Sequence, residues 1–444
     1  MKPELLLPAG SPEKLRYAIA YGADAVYLGL PMASLRTPSK GEQFTPKNLE
    51  EYIQYTQGRQ VKAYVTLNIF AANHDIKRLV PHLEQLESLK PDALIISDPG
   101  IFRLARRHAP SIPLHISTQA NTLNVEACAF WQDLGAERVI LAREVPLREI
   151  AEIHEKLPDL ELETFIHGSL CVAYSGRCVI SDYLTDNTKN SNKGMCGNSC
   201  RWEFEEANKT DLPNLQMREK TRPDEVYTFE EDAHGTYMLN SKDLCLVEHL
   251  RKLQDAGVVS FKVEGRSKSV FYVATAGRVY REAIDYFQTH QTASPEQIAR
   301  WTFDLSQAGN RGFTEGFFNG RPNDTAYNYN SAKTQQGSLF SAIVHPDART
   351  EHYGGGVKII AKNPVQVGDT LDWITPGGVI SFELKTLEDE HGLPVNALQT
   401  NHVGRIVTLP EGIQSLCSGL SGHPDQLAWS LFARKHTAEH LALV

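Results

Sequence analysis

The sequence predicts an α/β fold: a TIM-type (β/α)8 barrel that carries a cysteine-rich loop after its seventh strand, followed by a small all-β C-terminal barrel domain. Three observations predict it. Short apolar runs such as Ala25-Val-Tyr-Leu28, Ala93-Leu-Ile-Ile96 and Arg138-Val-Ile-Leu-Ala142 alternate with longer segments through the first 290 residues. Such runs suit parallel strands buried on both faces, with helices between them. Eight strand–helix pairs result, the number that closes as a barrel. No Gly-x-Gly-x-x-Gly and no Walker-type loop follows any strand, which weighs against the runner-up, an open doubly wound sheet.

The elements follow in order. Glu4-Leu-Leu-Leu7 is the first strand, ended by Pro8-Ala-Gly10. Ser11-Pro-Glu13 supplies a cap, a first-turn proline and an acid, a helix start; Leu15, Ala18 and Ile19 form its apolar face. Ala25–Gly29, Val61–Leu67, Ala93–Ser97, Leu114–Ser117, Arg138–Ala142 and Glu161–Ile166 read as strands two to seven. The helices between them begin near Pro46, Ile76, Pro99, Val125 and Leu147. Past an insertion, Leu244–Ala256 reads as a helix, Val259–Val263 as the eighth strand and Phe271–Phe287 as the eighth helix. Residues 203–235 are charged and show no clear period, so they read as partly disordered insertion. The predicted domains are a barrel over 1–290 with its cysteine-rich insertion at about 168–235, an aromatic and glycine-rich connector over 291–336, and the β domain over 337–444. Gly356–Ala361, Thr370–Thr375, Val379–Leu384 and His402–Thr408 are strands of that last unit.

With 444 residues, 41% apolar and 22% charged, the chain has the composition of an ordinary globular protein. No stretch approaches the ~20 apolar residues of a membrane helix. The formal net charge of -9 argues against a general polyanion binder. An RNA reader of this balance needs a local basic face, for which Arg201, Met217–Arg222 and Arg266-Ser-Lys268 are candidates, although each is more often a solvated surface. The N-terminus lacks a signal-peptide pattern, so a cytoplasmic setting is expected. Oligomeric state is not legible.

Four of the seven cysteines, Cys171, Cys178, Cys196 and Cys200, fall within thirty residues at C-x6-C-x17-C-x3-C spacing. Disulfides are the least expected use in the cytosol. Structural zinc favours close pairs, and only Cys196 and Cys200 form one. An iron–sulfur cluster tolerates scattered ligands. On spacing alone both metals remain open. Cys245, on the predicted 244–256 helix, reads as a buried core cysteine ahead of a spare metal ligand, and Cys128 as core; no case is made for Cys417.

His167-Gly-Ser-Leu-Cys171, Tyr174-Ser-Gly-Arg-Cys-Val-Ile-Ser181, Gly194-x-Cys-x-x-x-Cys-Arg-Trp-Glu-Phe204, Glu230–Leu244 and Phe261-Lys-Val-Glu-Gly-Arg266 resemble the signature of peptidase family U32, nearest its tRNA-hydroxylating branch. The resemblance covers nearly the whole chain. It implies hydroxylation of a wobble uridine in tRNA to 5-hydroxyuridine, a [4Fe–4S] cluster on the four cysteines with zinc as the alternative, and prephenate or a similar small dicarboxylate as participant.

A barrel places its chemistry at the C-terminal ends of its strands. Asn68, Asp98, Thr118, Gln119, Arg143, Glu144, His167, Glu264 and Arg266 all end strands there. Arg143 and Arg266 suit a carboxylate clamp, with Asn68 and Gln119 as further substrate contacts. His167, Glu144 and Glu264 are the candidate proton carriers. Tyr327-Asn-Tyr-Asn330 suits base stacking or, more commonly, interface packing. Two other functions compete. One is a peptidase, for which the chain has neither His-Glu-x-x-His nor Gly-x-Ser-x-Gly and at best a Cys171–His167 pair. The other is a non-catalytic zinc-stabilised RNA-binding protein.

Overall fold

The computed structural model describes residues 2–30, 34, 42–185, 196–197, 199–201, 204–206, 214–219, 226–230, 241–322, 326–327, 334–346, 356–410, 412 and 429–435. Eight parallel strands form the barrel: β1 (Glu4–Pro8), β2 (Ala25–Leu28), β3 (Lys62–Leu67), β4 (Ala93–Ile96), β5 (Leu114–Ile116), β6 (Arg138–Ile140), β7 (Glu161–Ser169) and β8 (Val258–Val263). Each pairs with the next, and β8 closes the ring by pairing in parallel with both β7 and β1. Around it lie α1 (Pro12–Ala20), α2 (Leu49–Gln57), α3 (Asn73–Leu89), α4 (Pro99–His108), α5 (Val125–Asp133), α6 (Leu147–Lys156), α7 (Leu250–Asp255), α8 (Val270–Thr289) and α9 (Pro295–Ser306). Local chemistry sets the helix starts as the sequence suggests. The Ser11 side chain accepts from the Lys14 amide at α1, and Asp98 accepts from the Gly100 and Ile101 amides at α4. Asp98 is therefore a cap rather than a free group at the mouth.

The barrel interior is ionic, not purely apolar. Glu163 is fully buried. Arg138 Nη1 donates to it at 3.1 Å and Lys262 Nζ at 2.8 Å. Arg138 also donates to Glu4 at 2.8 Å and reaches Glu161 at 2.7 Å. Burial alone would push the Glu4 carboxyl up; Arg138 foremost, then Lys62 and Tyr64, more than reverse this and hold it below its ordinary value. His115 lies on Tyr64 at 4.9 Å, and its imidazole is held well below its ordinary pKa by burial and then by Arg138.

Three elements differ from the sequence reading. β7 continues through Ser169 instead of ending at Ile166, so Cys171 follows the strand by two residues, not five. Asp243–Cys245 is a strand antiparallel to that extension, with Cys245 opposite His167. The predicted 244–256 helix begins only at Leu250. The backbone of the extended β7 needs a partner once it leaves the ring, and this strand supplies it. The 203–235 insertion contains a three-stranded antiparallel sheet, Phe204–Glu206, Asn214–Glu219 and Val226–Glu230. The β-prone run Val226-Tyr-Thr-Phe was masked by the surrounding charges.

The C-terminal unit is a curled antiparallel sheet of β9 (Ser338–Val344), β10 (Val357–Ala361), β11 (Thr370–Thr375), β12 (Gly378–Glu383), β13 (Leu387–Asp389), β14 (Val403–Ile406) and β15 (Leu431–Lys435), ordered β12-β11-β15-β9-β10-β14-β13. Val357, Ile359, Leu371, Trp373, Ile406 and Phe432 make its own core. It packs on the barrel helices through Phe340 stacked on Phe271, and Tyr21 Oη donates to the Ile374 carbonyl at 2.9 Å. Among the described residues no helix is long and apolar enough to cross a membrane.

Arg138→Ala strands Glu4 and Glu163 without their shared cation. The expected loss is about 3–5 kcal/mol, read by denaturant unfolding; a loss below about 1 kcal/mol contradicts this account of the interior.

Candidate active site

At the C-terminal mouth of the barrel a cavity of about 50 Å³ is lined by Asn68, Gln119, Arg143, Glu264 and Arg266. All five were singled out from the sequence as strand-ending residues, and the fold brings them together. Thr118, another strand-ending residue of the sequence reading, joins them, and Tyr27, Thr66, Ile95, Ser117, Phe165 and Lys262 complete the wall. Lys262 was missed because it lies inside an apolar strand. The signal was the period-two run Lys262, Glu264, Arg266, which begins on β8 and carries two further charged residues just past its end.

Each cation of this mouth is held in place. The Arg143 guanidinium lies 4.0 Å from the centre of the Phe165 ring and 3.8 Å from the Glu264 carboxylate. Lys262 donates to Glu163 and sits 4.5 Å from the centre of the Tyr27 ring. Arg266 donates to Thr66 Oγ1 at 3.1 Å and to Ser34 Oγ. Its backbone is pinned from behind, since Lys14 Nζ donates to the Arg266 carbonyl at 3.0 Å. Gly10 makes this approach possible: a Cβ there would lie 1.8 Å from that carbonyl oxygen. Among the described residues, three buried cations share the mouth with one lining carboxylate, Glu264. Such a site suits a small anion, above all a carboxylate.

The cysteine loop is locked onto this mouth. Gly176 has φ +73°, and a Cβ on it would lie 1.9 Å from the Gln119 carbonyl oxygen. Beside it, the Ser175 amide donates to Glu144 Oε1 at 2.9 Å, and the Arg143 amide donates to Ser175 Oγ at 3.4 Å. The Cys178 thiol is pushed up by its hydrogen bond with the Cys171 thiol and then by burial, so these two sulfurs lie side by side. Cys178 precedes the short helix Ile180–Tyr183, against which the Ser199–Arg201 turn bearing Cys200 packs. The Gly197 amide, next to Cys196, donates to Ser181 Oγ at 2.7 Å. All four predicted ligands thus belong to one patch, and none of the six described cysteines is in a disulfide.

The donor chemistry of this patch, four free thiols, fits either an iron–sulfur core or zinc.

Besides the cap Asp98, two of the predicted residues do not join the mouth. Glu144 faces a second cavity of about 50 Å³, with Cys171, Tyr174, Phe317 and Tyr327 in its walls. His167 turns away altogether. A register shift in the β7–β8 pairing follows Phe165, and the imidazole packs among Tyr272, Tyr280 and Phe313. Its Nδ1 lies 3.2 Å from Tyr280 Oη. Burial, helped by Lys268, holds its pKa down at about 3, so it is a neutral structural imidazole and a poor general base. Of the proposed basic patches, Lys268 is spent on the Gly309 carbonyl at 3.0 Å. The side chains of Arg201 and of 217–222, together with residues 328–330 and Cys417, lie outside the described residues.

Because the unfolded chain protonates His167 near 6.5 and the folded chain only near 3, stability falls as pH drops through that window, by up to about 1.4 kcal/mol per pH unit. His167→Gln, measured by denaturant titrations at pH 4 and 6.5, is expected to flatten that slope. An unchanged slope contradicts a buried neutral imidazole.

The description "peptidase family U32" matches residues 10–328. The chain is 39% identical over 424 residues to tRNA hydroxylation protein P of Escherichia coli (strain K12), covering 88% of this chain and 90% of that protein. It is 32% identical over 344 residues to a collagenase of Porphyromonas gingivalis, covering 75% of this chain and 78% of that one. It is 32% identical over 390 residues to the 23S rRNA 5-hydroxycytidine C2501 synthase of Escherichia coli, covering 87% of this chain and 54% of that enzyme. On the extent of these matches, the chain belongs to peptidase family U32.

Proposed function

We propose that this chain is an RNA-hydroxylating enzyme of the cytoplasm that converts wobble uridine of tRNA to 5-hydroxyuridine. Cys171, Cys178, Cys196 and Cys200 would hold a [4Fe–4S] cluster, and the barrel mouth would hold a small dicarboxylate such as prephenate. One observation carries the reading: a four-thiol loop is pinned directly against a mouth lined by Arg143, Lys262 and Arg266. Its relatives named for tRNA and rRNA hydroxylation support it. A bound cluster would supply redox or Lewis-acid iron chemistry. The chain's own residues do the rest. The cations orient the carboxylates, Phe165 and Tyr27 exclude water beneath them, and Glu264 is, among the described residues, the lining acid placed to hold or move a proton there.

The family label and the collagenase relative raise the peptidase alternative. A cysteine nucleophile would need His167 as its base, yet that imidazole is buried against Tyr280 and Tyr272, and the described thiol partner of Cys171 is Cys178.

Paired variants separate the two halves of the site. In protein purified without oxygen, Cys196→Ser is expected to lose iron, acid-labile sulfide and hydroxylated nucleoside together. Arg143→Ala is expected to keep the iron and lose hydroxylation by about a hundredfold, as removal of a charge-assisted hydrogen bond from a buried site implies. Zinc in the wild type, or full activity in either variant, contradicts the proposal.

A further inference from the structure

We infer that Glu144 reads the imide edge of the target base: its carboxylate accepts the N3–H of a uracil that enters the cleft beside Cys171. The inference rests on the RNA-hydroxylation reading above and names the subsite that reading lacks. Glu144 Oε1 is fixed by the Ser175 amide at 2.9 Å and by Ser175 Oγ at 3.3 Å. Oε2 is buried and has no hydrogen-bond partner. An unsatisfied buried acceptor costs roughly 1–3 kcal/mol, more when charged, and Glu144 belongs to the wall of the cleft that Cys171 also lines, where a ligand donor would satisfy it.

The cleft in front of it has a volume of about 50 Å³, which admits one edge of a planar ring and not a whole nucleoside. Tyr174, Phe317 and Tyr327 are among the residues that line the cleft. Tyr174 is 58% exposed, a flat face available to an unstacked base, which is how proteins hold single-stranded RNA. Cys171 lines the same cleft, so a base seated there lies beside the four-thiol patch. With its Watson–Crick edge inward, the base leaves its C5–C6 edge at the open side.

The chemistry is selective between pyrimidines. Uracil presents an N3–H donor to Glu144, whereas cytosine presents a bare N3 acceptor that repels a carboxylate. Glutamine at this position keeps a carbonyl for Ser175 and turns an amide donor toward the cleft, which inverts the preference.

The test uses holoprotein purified without oxygen and three hairpin RNAs of anticodon-arm size that carry uridine, N3-methyluridine or cytidine at the target position. Binding is read by fluorescence anisotropy and hydroxylation by nucleoside mass spectrometry. Wild type is expected to favour uridine over both others by about tenfold or more, the fold-change of one hydrogen bond to a charged group. Glu144→Gln, with unchanged iron, is expected to erase or reverse the uridine-over-cytidine ratio. Equal binding and equal hydroxylation of uridine and N3-methyluridine by wild type overturns the inference alone, and that comparison needs no variant to fold. A Glu144→Gln protein that keeps the wild-type ratio also overturns it. Wild type that binds none of the three better than a duplex RNA of equal length removes the RNA reading and the inference with it.

Discussion

Glu163 is the residue on which the interior depends. It is wholly buried and accepts from Arg138 at one carboxylate oxygen and from Lys262 at the other. Burying one carboxylate and two cations costs several kcal/mol of desolvation for each ion. Their close contacts offset that cost only while all the partners remain. The arrangement has a functional consequence. Lys262 is held at the mouth by its bond to Glu163, and Arg138 holds the other oxygen of that carboxylate; burial pushes the Lys262 ammonium down from its ordinary pKa, and Glu163 offsets part of that fall. An apolar barrel interior would be cheaper to build, but it could not present an ammonium group to a bound anion.

The second constraint is steric. The cysteine loop can lie on the mouth only because Gly176 lets its backbone meet the Gln119 carbonyl, and the Ser175–Glu144 bonds fix the approach. Arg143 serves both sides, its amide bonded to the loop through Ser175 and its guanidinium turned into the mouth above Phe165. Two small cavities therefore flank one short stretch of chain, Arg143-Glu144. The anion site lies on one side and the Cys171 cleft on the other. On the function proposed above, a carboxylate co-substrate and a base would then be held by different groups.

Much of this was legible in the sequence, and the parts that were not share physical causes. Strand–helix alternation revealed the barrel because buried parallel strands are short and apolar throughout. The mouth residues Asn68, Gln119, Arg143, Glu264 and Arg266 were found because topology alone puts strand ends together. Lys262 escaped because its role depends on pairing with Glu163 across β7 and β8, a contact between residues 99 positions apart. His167 was misplaced because a shift in strand register, invisible in one strand's sequence, turned it outward. Cys245 was assigned to a helix because its apolar neighbours fit both periods, and the need of β7 for an edge partner decided for a strand. The separate position of Glu144 followed from Ser175, whose link to it exists only after the loop has folded back.

The central claim is that the four-cysteine loop serves RNA hydroxylation. It is tested most directly by nucleoside mass spectrometry of bulk tRNA from cells lacking this chain, complemented with wild type or with Cys171→Ser. The account predicts that 5-hydroxyuridine and nucleosides built on it fall when the chain is removed, return with wild type and stay low with Cys171→Ser. Unaltered tRNA in the deletion, or full restoration by Cys171→Ser, would contradict it.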